Sequence, residues 1–185
     1  MKKRLVFISV SIFLALTACG NNASQESPSN NQQGSHQGHS GMTHASTGEI
    51  PAGLKAAQNP TYKVGSQAII LNDHMEGMKG ATATIVGAYD TTVYAISYTP
   101  TTGGDRVTNH KWVIHEEIQN AGAEPYKPGT DVVVVGDHMP GMKGATATIE
   151  STERTTIYMV DYTPTTGGEP VKNHQWVTES ELSAK

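Results

Sequence analysis

Cysteine is almost missing from this chain: Cys19 is the only one in 185 residues. A single thiol excludes an internal disulfide framework and any site built from several thiolates. Aromatic side chains are also scarce, and both phenylalanines, Phe7 and Phe13, lie in the first twenty residues. The folded part must therefore draw its core from Val, Ile, Tyr, Trp, Met and Ala. Basic residues number 13 against 17 acidic ones and form no patch, so nucleic acid is not an expected partner. No glycine-rich phosphate loop or Gly-x-Ser-x-Gly elbow is present. Asp73-His74 has no nucleophile or partner base beside it, so no enzymatic activity is expected.

The one long apolar run speaks to location. Lys2, Lys3 and Arg4 precede residues 5–16, an apolar stretch broken by two serines, and Leu16-Thr17-Ala18-Cys19 follows. This is the order of a bacterial secretory signal, and it is too short for a membrane-spanning helix. The last four residues resemble a lipobox, which predicts a signal peptide over residues 1–18 and lipid attachment at Cys19. The expected location is the outer face of the cell membrane. Losing the signal removes three basic residues and no acidic one, taking the formal net charge from −4 to −7. Residues 19–59 are rich in Asn, Ser, Gln, Gly and Ala, too polar to offset the entropy of ordering, and read as a disordered tether.

From Tyr62 the chain repeats itself. Residues 62–118 align with 126–182 at an offset of 64 without a gap, and 31 of the 57 pairs are identical, so the segment is a duplication. Each copy reads as β. Gln67-Ala68-Ile69-Ile70-Leu71 is a short apolar run of buried-strand type, while residues 81–86 and 92–98 alternate. Thr99-Pro100-Thr101-Thr102-Gly103-Gly104 is a loop, residues 107–114 close the unit, and residues 116–118 add one helical turn. These short strands predict a mostly β protein of two tandem small SH3-like β-barrel domains, residues 60–120 and 124–185, and a monomer is expected. A unit of this size buries only about 60% of its unfolded surface, so each copy alone is marginal.

Two repeated units could carry chemistry. His74-Met75-Glu76-Gly77-Met78 recurs as His138-Met139-Pro140-Gly141-Met142, and its glycines and proline place it in a turn between the first two strands. An imidazole with two thioethers is a soft donor set of the kind that selects monovalent copper. The competing reading is structural, since methionine fills irregular gaps in cores and a turn histidine often only bonds backbone. The linker carries His36, His39, Met42 and His44, and a tether has no core for Met42 to fill. The second unit, Asn109-His110-Lys111-Trp112 and Asn173-His174-Gln175-Trp176, places His and Trp on one face of a regular strand. There the Trp is core, and the His either completes a metal site or serves as a hydrogen-bonded neighbour.

The lipobox, the His/Met linker, the doubled Asp-His-Met-x-Gly-Met-Lys-Gly-Ala, the Tyr-Thr-Pro-Thr-Thr-Gly-Gly loop and Asn-His-x-Trp together resemble the YdhK-like surface lipoproteins of Gram-positive bacteria. That group includes the staphylococcal CopL lipoproteins, tied to copper resistance. The resemblance implies extracellular copper binding, with sequestration or delivery to a membrane exporter as the role. The expected ligands are His74, Met75, Met78, His138, Met139 and Met142, with His110 and His174 as further candidates. The alternative is a cell-wall-binding tandem SH3-like module, with Trp112, Trp176, Tyr98 and Tyr162 lining its groove.

Overall fold

The computed structural model describes residues 48–185. The signal segment 1–18, Cys19 and the His/Met tract 36–44 lie outside the described residues. Eight strands follow in order: β1 (Lys55–Ala56), β2 (Gln67–Ile70), β3 (Thr82–Tyr98), β4 (Val107–Ile114), β5 (Asp131–Val133), β6 (Thr146–Tyr162), β7 (Val171–Thr178) and β8 (Leu182–Ala184). A 3-10 turn, His115–Glu117, follows β4, and its counterpart, Glu179–Glu181, follows β7. The described chain is mostly β, as the alternating patterns require.

The two short strands expected at 81–86 and 92–98 are one 17-residue strand, β3, and the second copy forms the equally long β6. No proline interrupts either run, and Thr-rich segments favour strand where a half-buried surface is available. Gly87 in β3 has a specific use: a Cβ there would lie 2.7 Å from the Tyr89 ring, which packs edge-on to Trp176 at 5.9 Å. β3 and β6 pair antiparallel along their whole length, from Ala83↔Tyr162 to Tyr98↔Ala147. Thr91 pairs with Thr155, its own counterpart in the other repeat, so a near two-fold axis passes between them. Register shifts fall between Ile85 and Gly87 and again between Ala95 and Ile96, leaving Val86 and its counterpart Glu150 at equivalent irregularities.

This pairing corrects the expectation of two separate domains. One core joins Tyr94, Ile96, Tyr98, Val107, Val113 and Ile118 of the first repeat to Val132, Val134, Met139, Met142, Ala145, Ala147 and Ile149 of the second. The other joins Ala68, Ile70, Met78, Ala81, Ala83, Ile85 and Ala88 to Tyr158, Val160, Tyr162, Val177 and Leu182. Each globular half thus takes the front of one repeat and the back of the other. The chain ends exchange in the same way: β8 pairs with β2 of the first repeat, and Ile118 bridges Val134 of the second. Between the halves lies a third cluster, Val93, Ala95, Trp112, Ile114, Ile157, Met159 and Trp176. The strand path β5-β6-β3-β2-β8 carries β1 and β4 on β3 and β7 on β6, and the sheet is not closed into a barrel.

Part of the expected linker is ordered. Within residues 48–59, β1 pairs with Asp90 and Tyr89, Leu54 packs on the tryptophan cluster and Ala57 on the core that joins Ile70 and Met78 to Tyr158 and Tyr162. Gln175 Nε2 donates to the Glu49 carbonyl at 2.9 Å. Composition missed this strap because its few apolar residues are spaced along one extended contact. The middle of β3 beneath it is partly buried, whereas residues 150–154 of β6 are exposed.

An intertwined core has a direct consequence for unfolding. The described part is expected to melt in a single calorimetric transition, and a fragment holding residues 60–123 alone is expected not to form the monomeric fold. Two resolved transitions, or a folded monomeric fragment by size exclusion and circular dichroism, would overturn the intertwined account.

Candidate metal centre

The His-Met units sit in turns, as the glycines and Pro140 require. Met78 N donates to the Met75 carbonyl at 3.1 Å and Met142 N to the Met139 carbonyl at 3.0 Å. Gly77 and Gly141, at the third position, have φ of 75° and 76°, which suits glycine, and Pro140 occupies the second position that favours proline. A second constraint also demands glycine there. A Cβ on Gly141 would meet Thr102 Oγ1 at 2.6 Å and Pro100 Cβ at 2.9 Å; one on Gly77 would meet Thr166 Oγ1 at 2.6 Å and Pro164 Cβ at 2.8 Å. The Thr-Pro-Thr-Thr-Gly-Gly loop of each repeat therefore lies directly on the other repeat's turn. Thr101 N donates to the Gly141 carbonyl at 2.9 Å and Thr165 N to the Gly77 carbonyl at 2.8 Å.

The expected ligands separate into two groups. Met78 and Met142 are fully buried in the two hydrophobic cores, which is the gap-filling arrangement. Met75 is partly buried against one core, while Met139, 4% exposed, is itself a member of the other. Tyr162 Oη donates to Met75 Sδ at 3.6 Å, and Met139 shares a cluster with Tyr98. The strand histidines reach the same tyrosines: the His110 ring stands edge-on to Tyr98 at 6.1 Å and His174 to Tyr162 at 5.7 Å. His110 of the first repeat also faces His138 of the second, ring centroids 6.4 Å apart. The structure thus brings His110, His138, Met139 and Tyr98 into one half, and Met75, His174 and Tyr162 into the other, with His74 on the same turn as Met75.

His110 and Trp112 do not share a face as a regular strand would have them. Asn109 and Asn173 both adopt φ of 51°, a left-handed conformation that asparagine tolerates better than most residues. Asn173 N donates to Asp161 Oδ1 at 2.8 Å and Asn109 N to Ser97 Oγ at 3.1 Å, which holds this irregularity in place. The pairing of β4 with β3 shifts register on both sides of His110. His110 consequently turns toward Tyr98 and His138, while Trp112 enters the central cluster.

Two carboxylates organise this region, and neither was singled out from the sequence. Glu117 and Glu181, the last residues of the two 3-10 turns, are 4% and 3% exposed. His138 Nε2 lies 2.7 Å from Glu117 Oε1, and Trp176 Nε1 donates to the same carboxylate at 3.2 Å. In the other half His74 Nε2 lies 2.8 Å from Glu181 Oε1, Trp112 Nε1 donates to Oε2 at 2.9 Å, and Asn72 adds a further donor. Each glutamate also accepts its own turn's backbone N–H, from Ile114 and Thr178, both at 3.0 Å. So each repeat sends a glutamate into the other repeat's His and Trp. The available signal was the identity of Glu117 and Glu181 in a stretch where the neighbouring pairs, His115/Glu179 and Glu116/Ser180, differ.

A buried carboxylate is costly unless it is paired. Burial of Glu181 works to raise its pKa, but hydrogen bonds and charge from His74, with the Thr178 N–H and the Trp112 indole, hold it at about 2. For His138, burial works to neutralise the ring; the Glu117 charge and hydrogen bond, helped by the Trp112 carbonyl and Asp137, override it and raise the pKa. On the far side of the rings, Nδ1 of His74 is buried without a hydrogen bond, and Nδ1 of His138 lacks a well-formed one. The buried hydroxyl of Tyr98 is likewise unpaired, and burial pushes its pKa up to about 12, so it stays a neutral donor. Among the described residues, no group of three or more His, Cys, Asp or Glu is arranged to hold a metal ion.

The fold and these doubled turns define a duplicated all-β protein whose two repeats complete each other. The chain belongs to the family described as "Protein of unknown function (DUF1541)", which matches it twice, over residues 64–115 and 128–179. It is similar over its full length to the uncharacterized protein YdhK of Bacillus subtilis, 55% identical over 184 residues that cover 90% of that protein. It also resembles a crystal structure of YdhK, with a TM-score of 0.73 and 64% identity over 74% of this chain and 93% of that one. A solution structure of the YdhK C-terminal domain gives a TM-score of 0.64 and 67% identity, over 66% of this chain and 93% of that one.

The paired ionisations set a stability profile. The depressed carboxyl of Glu181 contributes stability above its usual value of 4.5 that is lost as pH falls toward about 2. The raised imidazole of His138 contributes stability below its usual 6.5 that is lost as pH climbs through its folded pKa. The metal-free melting temperature is therefore expected to peak between about pH 4.5 and 6.5. A profile still rising from pH 6 to pH 9 would show that the His138–Glu117 pair does not form. Glu181→Ala is expected to cost about 3–5 kcal/mol in chemical denaturation, because it strands His74 and the Trp112 indole.

Proposed function

We propose that the chain is an extracellular, lipid-anchored protein that binds monovalent copper and sequesters it outside the membrane, in the manner of the CopL copper-resistance lipoproteins. The observation that carries this reading is the approach of His110 to His138 of the other repeat, ring centroids 6.4 Å apart, in the half whose core also holds Met139 and Tyr98. Imidazole and thioether together favour copper over hard cations, which need oxygen cages. A ring separation of 6.4 Å is near the greatest that a single ion with metal–nitrogen bonds of about 2 Å can span, so a third ligand would draw the two rings closer. In the same reading Cys19 carries the lipid, the tract from His36 to His44 adds capture capacity, and a membrane exporter is the partner for onward transfer. Each half is then an SH3-like unit, with strands from both repeats and a 3-10 turn before the last.

The cell-wall reading has lost its surface. Trp112, Trp176, Tyr98 and Tyr162 are all buried, at 6%, 0%, 0% and 3% exposure, so none is offered to a glycan or peptide. A wall-binding groove would have to be built from other residues.

The ligand role can be separated from the packing role at the methionines. Anaerobic titration with monovalent copper against a chromogenic chelator is expected to show competition by the wild-type chain. Met139→Leu, which keeps volume and removes sulfur, is expected to weaken the second-half site. Met142→Leu is expected to leave copper binding intact and to change stability by less than about 1.5 kcal/mol. Met142→Ala instead costs about 2–5 kcal/mol by leaving a cavity. Absence of competition by the wild type sinks the copper reading, and equal affinity for Met139→Leu removes Met139 from the ligand set.

A further inference from the structure

We infer that Glu117 and Glu181 are positioning residues for the metal sites, each aligning a histidine that belongs to the other repeat. This inference rests on the copper reading and deepens it. A histidine that ligates a metal through one ring nitrogen commonly gives its other N–H to a carboxylate, which fixes the tautomer and the ring plane and raises ligand basicity. That arrangement is present twice. Nε2 of His138 is engaged by Glu117 and Nε2 of His74 by Glu181, while each ring's Nδ1 faces away from its carboxylate with no well-formed hydrogen bond. An N–H given to Glu at Nε2 leaves the neutral ring's lone pair on Nδ1, the atom that would face a metal.

The carboxylates are themselves held still. Glu117 is fixed by the Trp176 indole and the Ile114 N–H, and Glu181 by the Trp112 indole, Asn72 and the Thr178 N–H. A carboxylate needed only to neutralise a charge would not require an indole donor as well in both halves. The two tryptophans, the only ones in the chain, thereby become reporters of the two sites. The exchange of halves gives the arrangement its logic: neither repeat alone carries both the histidine and the group that orients it.

The test uses the full chain with the half around Met75 silenced by His74→Ala and Met75→Ala and the linker tract by His36→Ala, His39→Ala, Met42→Ala and His44→Ala, so that copper affinity and tryptophan quenching report the half around His138. In that background Glu117→Gln keeps the shape and removes the charge. It is expected to weaken copper affinity 10- to 100-fold and to reduce the quenching of Trp176. Adding Glu117→Gln to a chain that already carries His138→Ala is expected to weaken the remaining binding no further, since a positioning residue acts only through its histidine. Should Glu117→Gln lose the near-ultraviolet dichroism of the fold, Trp176→Phe serves instead, because it frees one side of the carboxylate and is expected to loosen binding several-fold. Unchanged affinity in the variant that folds, or an equal loss with and without His138, overturns the positioning role and leaves the copper reading standing. Lack of competition by the unmutated chain overturns the copper reading itself.

Discussion

The antiparallel pairing of β3 with β6 is the constraint on which everything else in the described chain depends. Two strands of 17 residues paired end to end cannot fold back on themselves, so each repeat must send its second half across the near two-fold axis at Thr91 and Thr155. From this follow the mixed cores, the docking of β8 on β2, and the Ile118–Val134 bridge. The placement of each glutamate against the other repeat's histidine follows too. A repeat of this size is marginal by itself. Joining the halves through a continuous ladder and the buried cluster around Trp112 and Trp176 stabilises both at once.

The same constraint explains why the strongest motifs lie where they do. The Thr-Pro-Thr-Thr-Gly-Gly loop leaves the end of one long strand at the point where the partner strand begins, beside the partner's His-Met turn. It packs there against a glycine with no Cβ to spare. The Asn-His-x-Trp unit enters from the paired strand and divides its side chains, the histidine toward the turn and the tryptophan toward the centre. Three motifs separated in sequence therefore converge in space, and the buried carboxylate at the end of each 3-10 turn ties the histidine of one His-Met turn to the tryptophan of the same repeat.

Much of this was legible in the residues. A short apolar run marked β2 at Gln67–Ile70, the segment that closes the unit fell at β4, Val107–Ile114, and glycine with proline marked the His-Met turn. The continuity of β3 was not legible. An alternating pattern is the same whether a strand turns back or runs on, and Gly87 with Asp90 resembles turn chemistry. The choice between one repeat folding on itself and two exchanging halves is tertiary, because the contacts made are identical in kind and differ only in which copy supplies them. Met78 was indistinguishable from Met75 by spacing, and only burial separated them, whereas Met139 and Met142 are both buried. Glu117 and Glu181 hid among other surface-type acids; their identity across the two copies was the one available sign.

Buried polar networks are expensive, and it matters whether this one has a structural or a chemical use. A hydrophobic pair of similar volume often stabilises a core as well as a buried ion pair does, or better. A network that served only stability would be satisfied throughout, since each unpaired buried donor or acceptor costs about 1–3 kcal/mol. Here the Glu–His–Trp side is saturated with donors, while Tyr98 Oη and the far nitrogens of His74 and His138 are left without good partners. In one half the His110 ring stands 6.4 Å from that of His138, across the boundary between the repeats. Donors crowd the carboxylate side of the His74 and His138 rings, and an imidazole that ligated through its other nitrogen would be held in the same way.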